Sequence, residues 1–217
     1  TREREVERMK SAFLGMATHE LNTPLTTIIG YSELLTSPET ADNFSAEQKK
    51  DCLLLIHDKA LSLGGLVDDL LDVSRVESGR PLTLDYQEFD FDSMIREVVD
   101  SYDGEDVLHE FVVTLVGETS QIIADRLRLK QVVDHLISNA VKYAPEGGDV
   151  RVKLILTDDE YELSVEDEGV GMDEEHLAQI FDRFYRADSS DTAVQGVGLG
   201  MSIVRNIVLA HHGDIHV

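Results

Sequence analysis

The chain has 217 residues, 42% of them hydrophobic and 29% charged, which suits one or two domains with a buried core and excludes wholesale disorder. Asp and Glu number 43 against 19 Lys and Arg, a net charge of −24, so phosphate-rich nucleic acid and anionic lipid surfaces are poor partners. The excess is uneven, with a net of −5 over residues 1–80 and −19 over residues 81–217.

In chain order, residues 1–35 read as one long helix. Its first ten residues alternate charge in the manner of a solvated face, and Val6, Met9, Phe13 and Met16 then give an apolar stripe at helical spacing. The polar stretch 36–43, with Pro38, reads as a loop. Ser45 and Gln48 form a capping-box start for a second helix running to Val76. Within it Leu53, Ile56, Ala60, Leu63, Val67 and Leu70 recur at alternating spacings of three and four, the pattern of a heptad seam. Two antiparallel helices with such seams cannot cover all their apolar surface as a pair, so a second copy and a dimeric four-helix bundle are expected. The single cysteine, Cys52, excludes an internal disulfide and reads as a small buried hydrophobe.

Ser78-Gly79-Arg80-Pro81 ends the helix and marks a domain boundary, giving expected domains 1–79 and 80–217. Beyond it strands are expected at 82–88, 109–117, 149–157 and 160–167, the last two as a hairpin turning at Asp158-Asp159. Helices are expected at 91–102, 125–144 and 199–211. No run reaches the ~18–20 apolar residues of a membrane span, and no signal peptide is visible. The expected setting is the cytoplasm, within a longer protein.

Three groups of residues carry chemistry. His19 lies in a helix beside Glu20 and five residues before Pro24, which removes a helical hydrogen bond at a cost of ~3 kcal/mol, a weak point for which bending of the helix near His19 is one candidate reason. A neutral imidazole is a nucleophile near pH 7, and an adjacent carboxylate can orient it or take its second proton. His57-Asp58, the rival pair, flanks the seam and reads as structural. In the second group Asp125 is a plausible N-cap for a helix whose buried face is Leu129, Val132, Val133, Leu136, Ala140 and Val141. Gln131, His135, Asn139 and Lys142 share its opposite, polar face, where an amide oxygen and an ammonium suit Mg²⁺ and phosphate. The third group is glycine-rich: Asp167-Glu168-Gly169-Val170-Gly171-Met172 after a strand, and Gly196-Val197-Gly198-Leu199-Gly200-Met201 leading into a helix. Glycines let backbone N–H groups crowd around phosphate, and a helix start adds a favourable dipole. Between them lie Phe181-Asp182-Arg183-Phe184-Tyr185-Arg186 and a polar stretch, 187–195, suited to a lid.

In this order the segments resemble the catalytic half of a two-component sensor histidine kinase. His19-Glu20-Leu21-Asn22-Thr23-Pro24 is similar to its phosphoacceptor box, and Asn139-Ala140-Val141-Lys142-Tyr143 to its asparagine box. Asp167-x-Gly169-x-Gly171, the segment Phe181 to Phe184, and Gly196-x-Gly198-x-Gly200 match its remaining nucleotide boxes. The resemblance implies a helical-hairpin dimerisation domain followed by an α/β-sandwich ATP-binding domain. It implies that Asn139 ligates Mg²⁺, Lys142 contacts the phosphates of ATP, and Asp167 hydrogen-bonds the adenine amino group. Gly169 and Gly171 admit the base, Gly196, Gly198 and Gly200 shape a lid, and Tyr143, Arg183 and Leu199 belong to the same nucleotide site. His19 is the implied nucleophile toward the γ-phosphoryl group, Glu20 its base, and Thr23 the residue that positions water for dephosphorylating a response regulator. The implied partners are a second copy through residues 1–79, a response-regulator receiver domain, and a sensor domain preceding Thr1.

Two residues depart from the family pattern: His135 stands where many members have a second asparagine, and Asn22 replaces a commonly basic residue. The chain ends at His216-Val217 in what reads as a penultimate strand, so the final strand is expected to be missing. Gyrase-like and mismatch-repair ATPases share the nucleotide boxes but carry a water-activating glutamate at the position of His135, which disfavours simple ATP hydrolysis here. A nucleotide-binding dimeric scaffold without phosphotransfer is the alternative of a different class.

Overall fold

In the computed structural model the described residues are 2–37, 40, 43–78, 82–103, 108–117, 121–157, 160–183, 185 and 198–217, with side chains 2–14, 16, 76, 77 and 103 excepted. They form two compact units, Thr1–Gly79 with Gln195–Leu199 in the first and Arg80–Val194 with Gly200–Val217 in the second.

The first unit is a pair of long helices, α1 (Arg2–Thr36) and α2 (Ala46–Glu77), packed on each other. The capping box forms as the sequence requires: Ser45 N–H donates to Gln48 Oε1 at 2.9 Å and Gln48 N–H to Ser45 Oγ at 3.2 Å. Between the helices, Thr40 Oγ1 donates to the Leu34 carbonyl at 2.8 Å and closes the end of α1. The predicted stripe Val6, Met9, Phe13 and Met16 lies on side chains outside the described set. The predicted α2 seam divides within a single chain. Ile56, Leu63 and Leu70 are partly covered, but Leu53, Ala60 and Val67 are exposed. The stripe covered within one chain is Cys52, Ile56, Lys59, Leu63, Leu66, Leu70 and Val73, with Cys52 and Val73 buried. The run Cys52–Ile56 is apolar all round, so it supports two adjacent stripes, and only one of them is covered within a single chain.

The second unit begins with β1 (Gln87–Asp90), α3 (Phe91–Asp103), β2 (His109–Val116) and β3 (Gln121–Ala124). It continues with α4 (Arg126–Tyr143), β4 (Gly148–Leu156), β5 (Tyr161–Glu166), α5 (Glu174–Gln179) and α6 (Gly200–Ala210). A three-stranded sheet has the order β2-β4-β5, with β2 and β4 parallel and β4 and β5 antiparallel. β1 and β3 form a separate antiparallel pair, Gln87 opposite Ala124 and Asp90 opposite Gln121. The core lies between helices and sheet, a sandwich of Met94, Ile95 and Val98 from α3, Val133 and Ile137 from α4, and Val150, Val152 and Leu154 from β4. Those three β4 residues alternate with less buried neighbours, as the strand period of two requires.

Several expectations shift. The strand expected at 82–88 is β1 at 87–90, because β3 turns into α4 at Asp125 and leaves residues 82–86 no ladder. β3 and α5, four and six residues long, were not predicted. His216-Val217, read as lying in a penultimate strand, pair with neither sheet, and of residues 213–217 only Ile215 is partly covered. The hairpin of β4 and β5 forms, while its tip, Asp158-Asp159, lies outside the described residues. On α4, Ile137 is fully buried although the predicted face omitted it, and the polar face of Gln131, His135, Asn139 and Lys142 is half-buried. α4 packs against α3 and the sheet on one side and α6 on another, which widens its covered arc.

Candidate active site

His19 is exposed on α1, with Glu20 half-buried beside it. The helix runs through Pro24, which is itself buried. Lacking an N–H, Pro24 cannot serve the carbonyl one turn back, that of Glu20, so the backbone beside His19 is short of one helical bond. Thr23 Oγ1 donates to the His19 carbonyl at 3.1 Å, and Thr27 Oγ1 to that of Thr23 at 3.2 Å. Threonine hydroxyls bonded back in this way tend to bend a helix. His19, Asn22, Thr23, Thr26 and Thr27 line an open groove that continues to Tyr31. His57 is exposed, and its neighbour Asp58 pairs with Lys59 at 2.8 Å, in keeping with a solvated role.

In the second unit the candidate nucleotide residues start from the cap of α4. Asp125, buried, accepts from Arg128 N–H through Oδ1 at 3.0 Å and from Asp85 N–H through Oδ2 at 2.9 Å. The helix it starts carries Asn139, Lys142 and Tyr143 in its last turns. Lys142 Nζ lies 5.3 Å from the Tyr143 ring centroid, a cation–π contact. The Tyr143 carbonyl accepts from Val170 N–H at 3.1 Å, which brings the loop after β5 against the end of α4. Gly169 makes that approach possible. A Cβ there would overlap the Tyr143 carbonyl oxygen and lie 2.7 Å from Asp167 Oδ1. Asp167 Oδ1 accepts from Gly169 N–H at 2.9 Å, and an exposed carboxylate has capacity for a further donor at Oδ2. Gly171 adopts φ +67° with open space around it.

The last glycine segment is described from Gly198 onward; Gly196, with Phe184, Arg186 and the polar stretch 187–195, lies outside the described residues. Gly198 has φ +71°, Leu199 is buried, and Gly200 opens α6. A Cβ on Gly200 would sit 3.4 Å from His135 Nδ1, so the imidazole one turn before Asn139 packs on the start of α6. Arg183 is half-buried in a turn, and Arg205 of α6 stacks over the Phe181 ring at 5.7 Å. Tyr185 is held as the neutral phenol, its pKa raised by burial and by Asp173 and Glu175. The structure therefore unites Asn139, Tyr143, Asp167 and Gly169 at one end of α4, and His135 with Gly200. Sequence reading missed the His135–Gly200 and Phe181–Arg205 contacts, since neither pair shares an element or a period.

An amide oxygen such as that of Asn139 is a hard donor suited to Mg²⁺, which takes one or two protein oxygens and completes its shell with water and substrate phosphates. Among the described residues no cluster of three or more His, Cys, Asp or Glu could hold a metal by itself.

Residues 9–79 match the family model for the His Kinase A (phospho-acceptor) domain, and residues 124–217 that for the histidine kinase-, DNA gyrase B-, and HSP90-like ATPase. The sensor histidine kinase WalK of Bacillus subtilis is 32% identical over 99% of this chain, which spans 35% of that relative. Among solved structures, the mycobacterial sensor histidine kinase MprB is 30% identical, covering 59% of this chain and 81% of its own, with a TM-score of 0.52. Full-length ShkA in complex with AMPPNP is 25% identical over 94% of this chain and 41% of its own, with a TM-score of 0.62. The chain thus spans about a third of the curated relatives it matches. No described helix is long and apolar enough to cross a membrane. The joint presence of both domains separates the chain from ATPases that share only the second: it belongs to the sensor histidine kinases, and carries the phosphoacceptor and ATPase-type domains of an ATP-dependent protein-histidine kinase.

Proposed function

We propose that this chain is a homodimeric kinase core, 1–79 its phosphoacceptor and dimerisation domain and 80–217 its ATP-binding domain, that phosphorylates His19 from Mg-ATP and passes the phosphoryl group to a response-regulator aspartate. The observation that carries the reading is the close approach of Gly169 to Tyr143, which sets the Asp167 carboxylate beside the helix of Asn139 in a chain that also exposes a histidine next to a carboxylate.

Asp167 Oδ2 accepts from the exocyclic amine of adenine, a donor that guanine lacks at that position, and Gly169 and Gly171 keep side chains off the base. Lys142 neutralises phosphate charge, and Tyr143 orients the lysine through its ring. Gly196, Gly198 and Gly200 are assigned to shaping the lid around the triphosphate, and Arg183 and Leu199 to the same nucleotide site. Asn139 supplies an oxygen to Mg²⁺, which when bound offsets charge on the phosphate oxygens. The unprotonated ring nitrogen of His19 attacks the γ-phosphorus in line; the N–P bond forms as the bond to the β-bridging oxygen breaks, releasing ADP. Glu20 takes the proton from the other ring nitrogen. In the second transfer an aspartate oxygen of the regulator replaces the imidazole on phosphorus. Thr23, whose hydroxyl hydrogen is engaged with the His19 carbonyl, retains lone pairs that can accept from a water and aim it at the phosphorylated regulator. An upstream sensor domain governs the balance, and the cytoplasm, where ATP is available, is the proposed setting.

The test is incubation of the chain with Mg²⁺ and γ-labelled ATP, beside His19→Gln and Asn139→Ala. Acid-labile, alkali-stable label that is absent from both variants is the expected result. Nucleotide binding with no label on the unaltered chain would replace the kinase with a nucleotide-binding scaffold.

A further inference from the structure

We infer that His211 is a positioning residue for the nucleotide site, fixing α4 against α6 from the end of the helix pair opposite Asn139 and Gly200; this rests on the function proposed above. His211 Nε2 accepts from the backbone N–H of Asp125, the cap of α4, at 3.1 Å, and Nδ1 lies 2.8 Å from the Ile207 carbonyl of α6. Both partners are backbone groups that cannot exchange donor for acceptor. The amide requires a bare Nε2 and the carbonyl a protonated Nδ1, so a single neutral tautomer meets both. The Tyr86 ring stands edge-on to the imidazole at 5.7 Å, and Asp85 N–H holds the other side of the Asp125 cap at 2.9 Å. His211 is therefore pinned from three segments.

The second contact of the pair is that of His135 with Gly200. His135 lies ten residues after Asp125 along α4, roughly 15 Å, and Gly200 eleven residues before His211 along α6, roughly 16 Å. These matching spans make the helices antiparallel and in step. One contact is a polar lock, the other a packed imidazole on glycine. Releasing the lock leaves α4 and α6 free to slide, and slippage is read out at Asn139 and at the glycines that open α6.

A comparison of His211→Gln, His211→Asn and His211→Leu in the full chain tests this. Glutamine can place an amide oxygen where Nε2 was and keep the bond from Asp125. Asparagine reaches only the Nδ1 position, and leucine keeps neither bond. Mg-ATP is expected to bind His211→Asn and His211→Leu about tenfold more weakly, with His211→Gln recovering most of the loss. In nucleotide-free protein, exchange of the Asp125 amide hydrogen is expected to quicken in the Asn and Leu variants and not in Gln, and the amide resonances of Asn139 and Gly200 to move with it. This second measurement needs no nucleotide. If the unaltered chain does not bind Mg-ATP, the proposed function fails while the lock is still judged by exchange and resonance shifts. Should His211→Leu not fold, Asn against Gln decides. Equal behaviour of Asn and Gln, or resonance shifts confined to the neighbours of His211, overturns the inference.

Discussion

Replacing Gly169 with alanine tests the closest backbone approach at the site. The added Cβ would lie 2.7 Å from both Asp167 Oδ1 and the Tyr143 carbonyl carbon, where 3.4 Å is ordinary contact, and nearer still to the Tyr143 oxygen. The Asp167 carboxylate can swing away, but the Tyr143 backbone belongs to α4 and is fixed by the core beneath it. Relief therefore comes from lifting the 167–171 loop by roughly 1 Å, at a cost of about 1–3 kcal/mol for overpacking. Losing the bond from Val170 N–H to the Tyr143 carbonyl adds about 0.5–1.5 kcal/mol. Gly169→Ala is expected to lower Tm and to weaken Mg-ATP binding at least about tenfold, since each 1.4 kcal/mol is a factor of ten. Calorimetric titration and a thermal melt measure both. Gly117→Ala is the control: its Cβ would meet Leu156 Cβ at 2.6 Å, and φ is +138°, so it strains the fold at a site assigned no nucleotide contact. It should lower Tm and leave affinity within about threefold. A Gly169→Ala protein that loses stability but keeps full affinity would refute the assignment of the Asp167 loop to the nucleotide.

Three smaller effects follow from local geometry. His212 sits at φ +64° past the end of α6, with His212 N–H bonded to the Leu209 carbonyl and Gly213 N–H to that of Val208; His212→Gly should raise Tm by about 2–4 °C, as about 1 kcal/mol of left-handed strain is relieved. Gly30, inside α1 with nothing within 4 Å of a Cβ, should give about 0.5–1 kcal/mol of added stability as alanine, a sign opposite to Gly169 and readable by urea unfolding. Glu97 is held below the usual carboxylate range by hydrogen bonds from Lys130 at 2.6 Å and Arg126 at 2.5 Å. Its contribution is thus present at neutral pH and lost as pH falls through the lowered value; half-exposed, it is worth at most about 1 kcal/mol, and unfolding curves of wild type and Glu97→Gln should converge in acid.

Much of this architecture was legible because its signals are local. Ser45 with Gln48 and Asp125 with Arg128 are caps closed within three residues, and the β4–β5 hairpin is announced by two β-rich runs on either side of two aspartates. What escaped was either too short or too distant. β3 is Gln-Ile-Ile-Ala, four residues with no periodicity to read, and its pairing with β1 is set by the turn into α4 rather than by its own pattern. α5 buries no residue and so has no apolar face to detect. The motif residues are readable as types, but Gly169 against Tyr143, His135 against Gly200 and His211 against Asp125 join positions 26, 65 and 86 residues apart, which no spacing rule reaches.

The exposed row on α2 gives the dimer a sharp test. Cys52, Ile56, Leu63, Leu66, Leu70 and Val73 are buried or partly covered, while Leu53, Leu54, Leu61 and Leu71 on the same helix are more than half exposed, Leu61 at 65%. Such a row on a single chain is the kind of contiguous apolar surface that soluble proteins cover. Leu61→Glu discriminates. On a solvated face the change is within about ±0.5 kcal/mol and leaves helicity and association unaltered. In a desolvated seam two carboxylates, one from each chain, lose hydration without a partner, a penalty of several kcal/mol and more than about a hundredfold in the dimer constant. Sedimentation should therefore show two chains per particle for wild type and one for Leu61→Glu, with the helical signal kept. Val73→Glu, on the covered stripe, should instead lose helicity whether or not a second copy is present. A Leu61→Glu protein that remains dimeric would mean that the two copies meet elsewhere, and that the exposed row serves a different neighbour.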